Sequence, residues 1–176
     1  MTRYAIDITT IAPRAVIELR GDPAAALRCL AAAGLRAPTR ANSIAAHPDG
    51  AEVLWLGPRR WLVMAPLLHE TALAARLDEA ASAEAMLATV CVSDMWTGIA
   101  LRGSGAPDVL AQGTPLDFEA ERFPADAASF TDLFAVTALL RRAADGFEIW
   151  CDRSLARHIT DSLRIAAGQP EPDGVT

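Results

Sequence analysis

Apolar positions in residues 51–65, AEVLWLGPRRWLVMA, form two runs around a turn of Gly57, Pro58, Arg59 and Arg60. Val, Leu and Trp fill both flanks while Gly and Pro punctuate the middle, so the stretch predicts a β-hairpin. Upstream, residues 14–20 (RAVIELR) predict a strand ending at Gly21. Asp22 then supplies a helix N-cap and Pro23 the first helical position, where the N–H that proline lacks would be unpaired anyway. The helix runs from Ala24 to Ala33 with Leu27 and Leu30 on one face, and Gly34 stops it. Residues 42–47 predict a short strand, and His47, Pro48, Asp49 and Gly50 a turn into the hairpin. Past Pro66, Leu68 to Ala80 predicts an amphipathic helix with Leu73 and Leu77 one turn apart, and residues 86–93 another strand.

Asp94 to Thr97 predicts a short irregular segment, followed by a strand from Gly98 to Arg102. At this point the chain repeats itself. Ile17-Glu18-Leu19-Arg20-Gly21 returns as Ile99-Ala100-Leu101-Arg102-Gly103, each followed by a Pro-containing helix start. Trp61-Leu62-Val63-Met64 corresponds to Phe147-Glu148-Ile149-Trp150, and Leu73 and Leu77 to Ile159 and Leu163. The segment 112–128 reads as an insertion in the second copy, a loop rich in turn residues. Strands are expected at 129–133, 135–142 and 146–151, with a last helix from Arg153 to Ala166 capped by Asp152. The pattern predicts an α+β fold of two pseudo-duplicated β-α-β-β-α-β units, about 14–93 and 97–166, with mixed or antiparallel sheets whose apolar sides are covered by helices. Residues 1–166 are expected to form a single domain, and 167–176 a flexible tail.

Composition narrows the function classes. With 176 residues, 52% of them apolar and 22% charged, the chain can bury a substantial core. The formal charge of −6, with basic residues scattered, makes nucleic acid an unpromising partner. Every basic residue is Arg, a side chain suited to fixed carboxylate contacts. The start lacks a basic region followed by a long apolar core, and no run reaches membrane-helix length, so no membrane partner and a cytoplasmic location are expected. Cys29, Cys91 and Cys151 are far apart and odd in number, as expected of reduced core thiols.

The chain is poor in recognisable chemistry. His47, His69 and His158 fall at none of the spacings that gather a metal, so no metal site is expected. Cys91 or Ser93 beside Asp94 lacks a local histidine to activate it. Arg102-Gly103-Ser104-Gly105-Ala106 lacks the third glycine of a dinucleotide fingerprint and the lysine of a phosphate loop. Asp94 and Asp117 sit beside element ends, where each is a capping carboxylate or, alternatively, a ligand for an amine or a pterin ring. Trp55, Trp61 and Trp96, with Arg59 and Arg60 at the hairpin tip, are the candidates for contact with a partner chain.

Several of these pieces together carry a resemblance. Trp55-Leu56-Gly57-Pro58 with Trp61-Leu62, Val92-Ser93-Asp94, Leu101 to Ala106, Gly113-Thr114-Pro115-Leu116-Asp117 with Phe123-Pro124, Thr131 and Arg153-Ser154-Leu155-Ala156 occur in one order over about 50–165. In these the chain resembles the gamma subunit family of heterotetrameric sarcosine oxidase, whose fold is similar to the N-terminal, folate-binding part of the glycine-cleavage aminomethyltransferase. The resemblance implies a noncatalytic, alpha-chain-stabilising subunit of an oxidase that demethylates sarcosine or a related N-methyl amine, alongside beta and delta subunits. It also implies that FAD, FMN, NAD, zinc and tetrahydrofolate belong to the partner subunits, with no cofactor in this chain. Two other expectations stay open: a free-standing tetrahydrofolate-binding or aminomethyl-transfer module using Asp94 and Asp117, and a homodimeric scaffold.

Overall fold

The computed structural model describes residues 3–169. In chain order its elements begin with β1 (Asp7–Ile11), β2 (Arg14–Gly21), α1 (Pro23–Ala32), β3 (Ser43–Ala46), β4 (Glu52–Gly57), β5 (Arg60–Pro66) and α2 (Glu70–Ala81). They continue with β6 (Leu87–Cys91), β7 (Trp96–Arg102), α3 (Ala106–Leu110), β8 (Ala128–Leu133), β9 (Val136–Ala143), β10 (Gly146–Asp152) and α4 (Ala156–Ala166). Single 3-10 turns at Leu67–His69, Ser93–Met95 and Arg153–Leu155 lead into α2, β7 and α4.

The strands form two five-stranded sheets, β3-β4-β5-β2-β6 and β8-β9-β10-β7-β1. Written this way the two orders correspond strand for strand, so the repeat in the sequence is a repeat of topology. One strand in each sheet is displaced in the chain. Taking the repeat as β1 to α2 and again β6 to α4, each leading strand leaves its own copy and completes the sheet of the other. β1 pairs antiparallel with β7, Ile8 opposite Leu101 and Ile11 opposite Gly98. β6 pairs antiparallel with β2, Ile17 opposite Cys91 and Gly21 opposite Leu87. The chain accordingly divides into two compact units, one made of Pro13–Trp96 with Asp126–Ala128 and the other of the remaining described residues.

This exchange explains the glycine that closes each copy of the repeated pentapeptide. Gly21 has φ +155°, and a Cβ built there would lie 2.1 Å from the Met86 carbonyl oxygen, just ahead of β6. Gly103 has φ +105°, and its Cβ would lie 2.4 Å from the Ala5 carbonyl oxygen, just ahead of β1. In both copies only glycine admits the incoming backbone.

In the first unit α1 and α2 cover one face of the sheet. Ala26, Cys29, Leu30 and Ala33 of the α1 segment and Leu73 and Leu77 of α2 pack with Ile17, Leu19, Val53, Trp61 and Val63. Val16, Leu54, Leu62 and Met64, on the opposite face, are buried as well. A strand buried on both faces reads as a continuous apolar run rather than an alternation, which is why β5 reads WLVMA. Asp22 caps α1 by accepting the Ala25 N–H at 3.0 Å, as its position before Pro23 predicts. Of the two leucines that share a face by spacing, Leu30 is buried and Leu27 is 48% exposed. The buried stripe consists of the smaller Ala26, Cys29 and Ala33 around Leu30, because small side chains let the helix approach the sheet.

In the second unit Ile159 and Leu163 of α4 are buried like their counterparts Leu73 and Leu77. The segment expected as an insertion carries no helix or strand between α3 and β8, yet it is anchored. Arg142 of β9 donates from Nε to the Phe123 carbonyl at 2.6 Å and from Nη2 to the Phe118 carbonyl at 2.5 Å. Its guanidinium also lies 5.0 Å from the centre of the Phe147 ring. β7 begins at Trp96, two residues ahead of the expected Gly98. Ala167 is buried, and its carbonyl accepts the Tyr4 N–H at 3.0 Å. Residues 170–176 of the expected tail lie outside the described residues. No helix among the described residues is long and apolar enough to cross a membrane.

Candidate functional site

The hairpin of β4 and β5 places Trp55, Arg59, Arg60 and Trp61 together. Gly57 pairs with Arg60, leaving Pro58 and Arg59 as a two-residue turn, and Trp55 stands directly opposite Trp61. The two indoles stack with centroids 6.2 Å apart and planes 17° from parallel. Trp55 is half-buried and its Nε1 donates to the Gly57 carbonyl at 2.7 Å, fixing the turn from within. Trp61 is only 1% exposed, opposite Leu19 on β2, and offers no surface to a partner. Its indole N–H meets no acceptor among the described residues.

Register places the charges of this end. β2 and β5 bring Arg20 opposite Arg60, with Glu18 two positions along. Glu18 Oε1 accepts from Arg60 Nε at 2.5 Å and from Arg20 Nε at 2.8 Å. Arg59 is exposed; its carbonyl accepts the Gly21 N–H at 3.2 Å and its Nε reaches the Gly21 carbonyl at 3.4 Å. Arg59 forms no ion pair among the described residues. The result is a shallow depression of about 500 Å³ lined by Arg20, Leu56, Pro58, Arg59 and Arg60. Three guanidinium groups line the depression, two of them paired with the Glu18 carboxylate and that of Arg59 in no ion pair among the described residues, which suits it to bind an anionic group.

The other sequence candidates lie elsewhere. Trp96 is half-buried at the start of β7. Asp94 is exposed in the Ser93–Met95 turn of one unit. Asp117, in the other unit, is exposed and accepts the Glu119 N–H at 3.0 Å, as a loop-fixing carboxylate does. Ser93 Oγ accepts the Val16 N–H at 2.8 Å and is committed to the sheet. His158 Nε2 lies 3.0 Å from the Phe134 carbonyl, and His47 Nε2 3.1 Å from the Arg36 nitrogen. Among the described residues no group of three His, Cys, Asp or Glu side chains is placed to hold a metal ion.

All three cysteines are free, but they are not all core residues. Cys91 is exposed at the end of the edge strand β6. Cys29 and Cys151 are buried. Burial pushes the Cys29 thiol up, and pushes the Cys151 thiol up to about 11 with help from the neighbouring Asp152. Asp152 itself is held below the ordinary carboxylate value by the Ser154 hydroxyl and N–H, the contacts that start the last helical segment.

Sequence reasoning did not single out Arg20, Arg142 or Glu18. Arg20 and Arg102 were visible as repeated positions, but their environments depend on cross-strand register.

The duplicated architecture is similar in fold to part of an aminomethyltransferase. The crystal structure of the glycine cleavage system aminomethyltransferase T from Bartonella henselae matches with a TM-score of 0.66 at 18% identity, covering 94% of this chain and 50% of that one. The chain belongs to the sarcosine oxidase, gamma subunit family, which matches residues 19–168. It is 31% identical over 137 residues to the sarcosine oxidase subunit gamma of an Arthrobacter species; the match spans 78% of this chain and 64% of that relative. It is also similar to a chain of the heterotetrameric sarcosine oxidase from Corynebacterium sp. U-96, solved in complex with pyrrole 2-carboxylate. That likeness has a TM-score of 0.85 and 25% identity, and covers 100% of this chain and 90% of that one.

Proposed function

We propose that this chain is a noncatalytic gamma subunit that stabilises the large alpha-type chain of a sarcosine-oxidase-type complex. The complex oxidatively demethylates sarcosine or a related N-methyl amine in the cytoplasm and passes the one-carbon unit to tetrahydrofolate. Its alpha, beta and delta subunits carry the FAD, FMN, NAD, zinc and tetrahydrofolate sites. The observation that supports this reading best is the whole-chain likeness to one chain of a heterotetrameric sarcosine oxidase, at a TM-score of 0.85. The surface assigned to the partner is the hairpin tip with Trp55, Arg59 and Arg60, and Trp96 is a second contact candidate. Trp61 serves beneath the tip as the packing surface for Trp55.

Co-expression with the large oxidase chain from the same source tests the reading. A stable heteromer at micromolar concentration is expected, and no association at that concentration overturns it.

A further inference from the structure

The two hairpins are internal copies of each other, and they differ in the charge of one turn residue. In the second unit β9 and β10 close with Ala143 opposite Gly146, so the turn is Ala144-Asp145. Arg102, from the second copy of the Leu-Arg-Gly phrase, pairs with that aspartate, Nε to Oδ1 at 2.8 Å. In the first unit the closing pair is Gly57 and Arg60, so the turn is Pro58-Arg59. Arg20 is the counterpart of Arg102, and Arg59 occupies the position of Asp145.

The first copy therefore carries a base where the second carries the acid that neutralises it. The depression at this turn is lined by Arg20, Arg59 and Arg60 together. Glu18, which corresponds to the uncharged Ala100, supplies a carboxylate, but its Oε1 already takes both Arg20 and Arg60. On a chain whose formal charge is −6, this depression is lined by three arginines and by no acidic side chain. Such a patch is screened in salt and steers anionic partners toward it.

We propose that this depression docks an acidic segment of the partner polypeptide, with an Asp or Glu carboxylate filling the place that Asp145 fills in the internal copy. The inference rests on the reading of this chain as a subunit of an oxidase complex. The guanidinium fork of Arg59 matches a carboxylate in two-point geometry. The turn that presents it is already held by the Trp55 bond to Gly57 and by the Gly21 bond to the Arg59 carbonyl, so little freedom remains to be lost on docking. Arg20 and Arg60 supply the surrounding field.

The test copies the second turn into the first. Arg59→Asp gives Arg20 the partner that Arg102 has, so the fold is kept while the site is closed to an incoming acid; Arg59→Ala removes the base alone. Each variant is co-expressed with the oxidase chains, and the intact complex is diluted and followed by mass photometry at low and high salt. Both variants are expected to raise the dissociation constant of this chain roughly 10- to 100-fold. Arg76→Asp, on the exposed side of α2, is expected to change it less than about 2-fold. The wild-type constant should weaken as salt rises, and the Arg59 variants should lose most of that dependence. A wild-type complex that both Arg59 variants leave unchanged overturns the docking site while the subunit reading stands. Failure of the wild-type chain to form a complex overturns both.

Discussion

Substituting Gly21 by Ala puts a methyl group into the backbone of the exchanged strand, where it cannot be accommodated by a side-chain rotation. The new Cβ would stand 2.1 Å from the Met86 carbonyl oxygen and 2.8 Å from the Leu87 Cα. The same Met86 oxygen accepts the Asp22 N–H at 2.9 Å, and Asp22 caps α1. Moving the strand away therefore strains that bond and the helix start together. The backbone at φ +155° is itself one that side-chain-bearing residues rarely adopt. Strain of this kind costs on the order of 1–3 kcal/mol, and a lost backbone hydrogen bond adds about 1 kcal/mol, so a destabilisation of about 3 kcal/mol is expected. Two glycines calibrate the result. Gly34 has φ +70° with nothing within 4 Å of an added methyl, so Gly34→Ala should cost only the backbone term, about 1–2 kcal/mol. Gly57 has open space and no such φ, so Gly57→Ala should stay within about 0.5 kcal/mol. Urea unfolding of the isolated chain, compared through its midpoints, reads the series. A Gly21→Ala variant no less stable than Gly34→Ala would refute the claim that the glycine exists to admit the exchanged strand. Gly103→Ala, facing the Ala5 carbonyl, should behave as Gly21→Ala does.

Trp61→Phe copies the residue at the equivalent position, Phe147, and removes an indole N–H that meets no acceptor among the described residues. It should cost clearly less than Trp61→Ala, for which roughly 3–5 kcal/mol is expected, both read from urea midpoints. Cys151 predicts an alkaline sensitivity. Its thiol is held at about 11 when folded against an ordinary value of 9.0, so the unfolded chain gives up this proton first and stability falls as pH rises from 9 to 11. The loss reaches roughly 2 kcal/mol at the top of that window, and Cys151→Ala should flatten this part of a stability-against-pH profile.

The repeat was legible because two copies kept the same residues at the same places in their elements. The hairpin and α1 were legible because Gly57, Pro58, Asp22 and Pro23 act locally. The spacing of Leu27 and Leu30 did not show which side of α1 meets the sheet, because side-chain size is not burial: the face that packs there is the one with smaller residues. β1 was not read at all, since DITTI mixes Asp and Thr with Ile and its partner β7 is distant in the chain. Without β1 the exchange is invisible, and Gly103 reads as an ordinary strand-to-helix turn. Trp55 and Trp61 could not be told apart by identity; the register that sets Trp61 opposite Leu19 puts it in the core. The contrast between Arg59 and Asp145 was present in the two turns, but its meaning required the ion pair from Arg102.

Whether this chain works as one subunit among larger, flavin-bearing chains is tested most directly by recovering it, tagged, from its native source and recording native mass and visible absorbance together. A heteromeric complex is expected, with yellow flavin absorbance that the isolated chain lacks. A colourless chain recovered alone, or as a dimer of itself, would contradict the subunit role.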